Sequence, residues 1–76
     1  MTLAELKNYF ETELASFYAS EEVQSFFNML SQAWLGYSRM DISLNASEAI
    51  PSEINIKFKN TIERLKRSEP IQYIVG

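Results

Sequence analysis

The chain contains no cysteine and no histidine. Without cysteine there is no disulfide framework and no thiolate to bind a metal or attack a substrate. Without histidine there is no imidazole ligand, and no side chain whose ordinary pKa lies near neutrality. Serines remain, but a serine without a neighbouring base is a poor nucleophile. Glycine and proline number two each. Gly36 and Gly76 stand forty residues apart, so no glycine-rich loop exists to cradle a phosphate or a cofactor. So few breakers predict long helices with short connections. No apolar run approaches a membrane span, and the N-terminus lacks the basic-then-apolar order of a signal peptide. The expectation is a soluble, cytoplasmic protein with no catalytic, cofactor or metal residues of its own. Carboxylates that could converge on a metal are not apparent: Glu11 and Glu13 read as solvated surface, and Glu21 with Glu22 as charges that complement a helix start.

What is there is bulk. Of 76 residues, 46% are hydrophobic, including one Trp, five Phe and four Tyr. That length holds one domain at most, above the size at which metals or disulfides are normally required. Large aromatic side chains partly offset the poor surface-to-volume ratio. Net charge is −3, which argues against general nucleic-acid binding. The charge is uneven: residues 1–56 carry two bases and eight acids, whereas residues 57–76 carry five bases and two acids. Such polarity can orient a partner or a neighbouring domain.

Periodicity resolves the chain into helices. Thr2-Leu3-Ala4-Glu5 has the spacing of a capping box, and Leu3, Leu6, Phe10, Leu14 and Phe17 recur every three or four residues. A first helix is expected from Leu3 to about Ser16. Ser20 opens a second, whose face of Val23, Phe26, Phe27, Leu30, Ala33 and Trp34 is the strongest in the chain, with Gly36 as its stop. Ser38 to Asp41 repeats the capping spacing, and a short helix from Arg39 to Leu44 places Met40 and Leu44 on one face. Asn45 to Ala49 is the most loop-like stretch and the best candidate for local mobility. A fourth helix begins near Ile50-Pro51-Ser52-Glu53, with Ile54, Phe58, Ile62 and Leu65 on one face. The fold class expected is all-α, a small bundle of four to five helices.

Two sets of residues fit this pattern less simply. Lys57, Lys59, Arg64, Lys66 and Arg67 suggest a nucleic-acid patch, but they split over two sides of the fourth helix. The favoured reading is that their stems cover the buried stripe. Ile56 falls almost opposite that stripe: it packs on a loop, lies exposed, or faces a second domain. Tyr37 and Arg39, at a bend between helices, are of the types enriched at interfaces, although local capping and packing account for them as well.

The last stretch, Ser68-Glu69-Pro70-Ile71-Gln72-Tyr73-Ile74-Val75-Gly76, reads as a short helix from Pro70 to about Val75. Pro70 suits a first helical position, Ser68 or Glu69 can accept from free amides before it, and Gly76 stands where a left-handed stop is expected. It has the character of a junction with something beyond it. Glu-Pro-Ile-Gln-Tyr-Ile-x-Gly after a helix ending in basic residues resembles the junction in the HemK/PrmC family of methyltransferases, which modify the glutamine of peptide chain release factors. The resemblance extends over the whole chain in layout, but its specificity rests on Glu69, Pro70, Tyr73 and Gly76.

That resemblance implies residues 1–67 as an N-terminal helical bundle, and 68–76 as a structural junction to a C-terminal catalytic domain absent from this chain. S-adenosylmethionine is then implied for the parent protein and release factors as its partners. The family's Asn-Pro-Pro-Tyr motif and glycine-rich cofactor segment are missing here, so this piece is expected to position substrate rather than catalyse. Tyr37, Arg39 and Ile56 are candidate contacts to a partner or domain. The alternative is a free-standing interaction module that binds through its acidic half.

Overall fold

The computed structural model describes residues 1–75. Five helices follow one another: α1 (Leu3–Leu14), α2 (Ser20–Leu35), α3 (Arg39–Leu44), α4 (Ser52–Lys66) and α5 (Ile71–Val75). No β-strand forms among the described residues; a single antiparallel bridge pairs Thr2 with Ala49. The all-α bundle expected from the sequence is the observed fold.

Local chemistry sets the helix ends. Thr2 Oγ1 accepts from the Glu5 N–H while Glu5 Oε1 accepts from the Thr2 N–H, at 3.2 and 2.8 Å. Ser38 and Asp41 repeat the reciprocal pair at the start of α3. These bonds satisfy amides that have no partner inside the helix. They also hold both carboxyls below the usual carboxylate range, through bonds from the backbone and then the side chain of Thr2 for Glu5, and of Ser38 for Asp41. Gly36 closes α2 with φ +70°, and its N–H and that of Tyr37 donate to the Gln32 and Ser31 carbonyls.

The core gathers around Phe58. Its ring lies 5.9 Å from Phe10, 5.3 Å from Phe27 and 5.2 Å from Trp34, edge-on to Phe10 and Trp34. Edge-to-face contact places the positive rim of one ring on the negative face of another. Leu3, Leu6 and Leu14 from α1, Val23 and Leu30 from α2, and Ile62 and Leu65 from α4 complete the buried set. α1 packs on both α2 and α4, while α5 lies against α2 and α4.

Several side chains depart from the expected pattern. Phe17 is exposed, because α1 ends at Leu14 and the next residues turn. That turn brings Tyr18 inward, and its hydroxyl donates to the Leu65 carbonyl at 2.7 Å. Ala33 is exposed while Ser31 is buried, and Thr61 joins the buried face of α4. Met40 and Leu44 do share a face, but it is the solvent face, 72% and 75% exposed; Ile42 is the residue of α3 that enters the core. The stretch expected to be mobile is tied down. The Glu48 and Ala46 carbonyls accept from Leu3 and Ala4, and the Ile50 N–H donates to Met1.

Candidate functional site

The basic residues of α4 lie where their stems cover apolar surface. Lys57, Lys59 and Lys66 hold their amines 5.1, 6.0 and 5.8 Å from the rings of Trp34, Tyr9 and Phe17. Such contacts favour a cation over the electron-rich ring face. Lys66 also reaches Glu13 at 2.9 Å, which keeps it protonated to higher pH than usual. These lysines therefore fit the covering role better than a nucleic-acid patch.

The junction is built by the end of α4. Ser68 takes the left-handed conformation, φ +65°. Its N–H donates to the Leu65 carbonyl at 2.9 Å, and the Glu69 N–H donates to Arg64 at 3.1 Å. This is the paired bond pattern of a Schellman stop, with serine in the place usually taken by glycine. In that motif the residues at the two ends of the longer bond stand side by side and are commonly apolar. Here they are Arg64 and Glu69, joined at 3.0 Å, with Arg67 adding a second contact to Glu69 at 3.4 Å. The sequence reading placed Ser68 or Glu69 as an oxygen cap for the last helix. The structure instead uses Ser68 as the stop of α4 and turns the Glu69 carboxylate back onto two arginines.

The chain then passes Pro70 into α5, which starts one residue later than expected, at Ile71. Ile71 is buried and Ile74 and Val75 pack against the core, so α5 is held by one side. Tyr73 is on the other side, 76% exposed. Gly76 lies outside the described residues. Of the other candidate contacts, Tyr37 packs partly into the core, whereas Arg39 and Ile56 face solvent, Ile56 at 58%. The residues missed as parts of the junction are Arg64 and Arg67, read only as flanking and C-terminal charges. The signal was available in their spacing to Glu69, which a Schellman stop brings together.

The clamp carries a pH dependence. The hydrogen bond from Arg64, with smaller help from Arg67, holds Glu69 below the usual carboxylate range. A depressed native pKa gives stability that is present above the unfolded value. It fades as the pH falls below about 4.3, the ordinary glutamate value, and through the native value. Glu69→Gln is therefore expected to be less stable than the parent sequence at neutral pH, with the difference closing in acid. Denaturant midpoints at the two pH values check this; a gap that persists or widens in acid contradicts it.

The described residues hold no group of three or more acidic side chains placed to bind a metal, and no helix long and apolar enough to cross a membrane. Comparison with known proteins is specific. The family described as the PrmC N-terminal domain matches residues 5–76. A release factor glutamine methyltransferase from Flavobacterium psychrophilum is 31% identical over 74 residues, covering 93% of this chain and 26% of that protein. The chain thus spans about a quarter of the length of that relative. No solved structure matches at a significant level. A match across nearly the whole chain, carried by a bundle that ends in the clamped Glu69–Val75 junction, establishes that the chain belongs to the PrmC N-terminal domain family.

Proposed function

We propose that this chain is the substrate-positioning domain of an S-adenosylmethionine-dependent protein methyltransferase. The parent enzyme transfers a methyl group to the side-chain amide of the glutamine in the Gly-Gly-Gln motif of peptide chain release factors, in the cytoplasm. The observation that carries this reading is the alignment of 93% of the chain with a quarter of a release factor glutamine methyltransferase. The bundle touches the body of the release factor, and the catalytic domain takes the glutamine. A second contact on one chain raises effective concentration without altering the chemistry. It also helps hold a weakly nucleophilic amide in reacting geometry.

The residues of this chain do not fit the methyl donor. The described glycine, Gly36, has nothing within 4 Å of where a Cβ would sit. It serves the left-handed helix stop, not a close approach to a ligand. No step of the transfer is assigned to the bundle. Its contribution is mechanical: α4, the Schellman stop and the Arg64–Glu69 pair fix the direction in which α5 leaves.

The test compares the parent enzyme with and without residues 1–67. Removal is expected to lower kcat/KM for intact release factor by about 10²-fold or more, the scale on which linked contacts act. Turnover of a short glutamine peptide should be unchanged. Equal kcat/KM for the intact factor in both proteins would refute positioning.

A further inference from the structure

Between α4 and α5 lies an open cleft of about 300 Å³. Trp34 forms its floor, Ile74 and Val75 one wall, and Lys57, Asn60 and Arg64 the other. The floor is rigid, because Trp34 stands edge-on against the central Phe58 ring. Both charged residues lining the cleft are cations, in a chain whose first 56 residues carry eight acids and two bases. Arg64 is neutralised by Glu69. Lys57 is not: its amine rests over Trp34, 5.1 Å from the ring centroid, and it forms no salt bridge with the described residues. Ile56 adjoins the cleft. It sits one helical turn before Asn60, about 40° away around the axis, and it is 58% exposed. The cleft thus offers a cation over an aromatic floor, with an apolar side chain beside it.

We propose that this cleft is the docking site for an acidic segment of the parent's catalytic domain, one carboxylate meeting Lys57 over Trp34 and a neighbouring apolar side chain covering Ile56. The inference rests on the reading of the chain as one part of a longer methyltransferase. Charge selects a carboxylate as the occupant. Covalent linkage selects the parent's own domain, because α5 is both a wall of the cleft and the element through which the junction runs. Whatever is tethered beyond α5 meets the cleft at high effective concentration. The docked carboxylate gains in strength from the water it displaces around the amine and the ring.

The experiment labels lysine amines in the 76-residue chain and in the parent enzyme, reading each site by mass spectrometry. Lys57 is expected to react about tenfold more slowly in the parent, as for a docked state populated roughly nine-tenths of the time. Lys59, over Tyr9 on the same helix, should react equally in both. Equal labelling of Lys57 in the two proteins overturns the proposal. Protection that appears only when release factor is added also overturns it, and assigns the cleft to the substrate protein. Methylation is measured separately. A parent that protects Lys57 but does not methylate release factor contradicts the functional reading alone. One that methylates with Lys57 freely labelled contradicts the docking alone.

Discussion

Phe58→Ala is expected to remove most of the stability of the bundle. Truncating a fully buried phenylalanine costs about 3–5 kcal/mol, the sum of lost transfer energy and the cavity left behind. A domain of this length has roughly 4–11 kcal/mol in total. Position 58 lies at the high end of the range because three other rings, Phe10, Phe27 and Trp34, lean on it from two other helices. Rigid rings held edge-on cannot collapse into the space as aliphatic chains can, so little of the cavity is recovered. The melting temperature should fall by roughly 12–40 °C, given about 4–8 °C per kcal/mol for domains of this size. Thermal unfolding followed by circular dichroism measures it, and Trp34 emission should shift in the same variant. Ile56→Ala, on the exposed side of the same helix, should stay within about 0.5 kcal/mol. A Phe58→Ala melt close to that control would mean the centre of the core lies elsewhere.

The rings that make this core were visible in the sequence, and the reason is their spacing. Phe10 with Leu6 and Leu14, Phe27 with Val23 and Leu30, and Phe58 with Ile62 and Leu65 each mark a helical face. The helix starts at Thr2 and Ser38 and the stop at Gly36 were equally legible, because each depends on a residue type acting within a few positions. The failures have a common physical origin: hydropathy stands in poorly for position. Ser31 occupies the middle of the buried face of α2, between Phe27 and Trp34, yet its hydroxyl disguises it. Its oxygen is left without a hydrogen-bond partner among the described residues. Thr61 was hidden in the same way, although its hydroxyl is satisfied by the Lys57 carbonyl at 2.8 Å. Met40 and Leu44 mislead in the opposite direction. Six residues of helix with one apolar pair do not reveal which side faces in, and the answer depends on Ile42.

The candidate site was legible as composition but not as geometry. Glu69, Pro70 and Tyr73 pointed to a junction, and the family match agrees with the resemblance they carry. Their individual roles could not be read, because Glu69 acts through arginines two and five residues behind it. That pairing exists only once Ser68 has adopted a conformation disfavoured for a residue with a Cβ. The cleft at Lys57 was likewise beyond periodicity. It depends on α5 folding back beside α2, a tertiary arrangement that nothing local encodes.

Ile71→Ala is expected to release α5 without unfolding the rest. Five residues are too few to hold a helix in isolation, so α5 exists by virtue of what it buries. Ile71 is its one fully buried side chain, with Ile74 and Val75 only partly covered. Losing the larger side chain costs about 2–5 kcal/mol, more than so small an interface can spare, whereas the Phe58 cluster does not depend on it. The effect should therefore be local. Hydrogen exchange at Tyr73, whose N–H bonds the Pro70 carbonyl, should approach the free-chain rate, while amides of α1 and of the middle of α4 keep their protection. Trp34 emission should move to longer wavelength as the wall formed by Ile74 and Val75 withdraws. In the parent enzyme, the same substitution should lower kcat/KM for intact release factor and spare a short glutamine peptide, because α5 would no longer fix how the domains are joined. A single cooperative melt at much lower temperature, with all helices exchanging together, would show that α5 belongs to the core. Undocking with full activity on intact factor would show instead that the junction's direction does not matter to positioning.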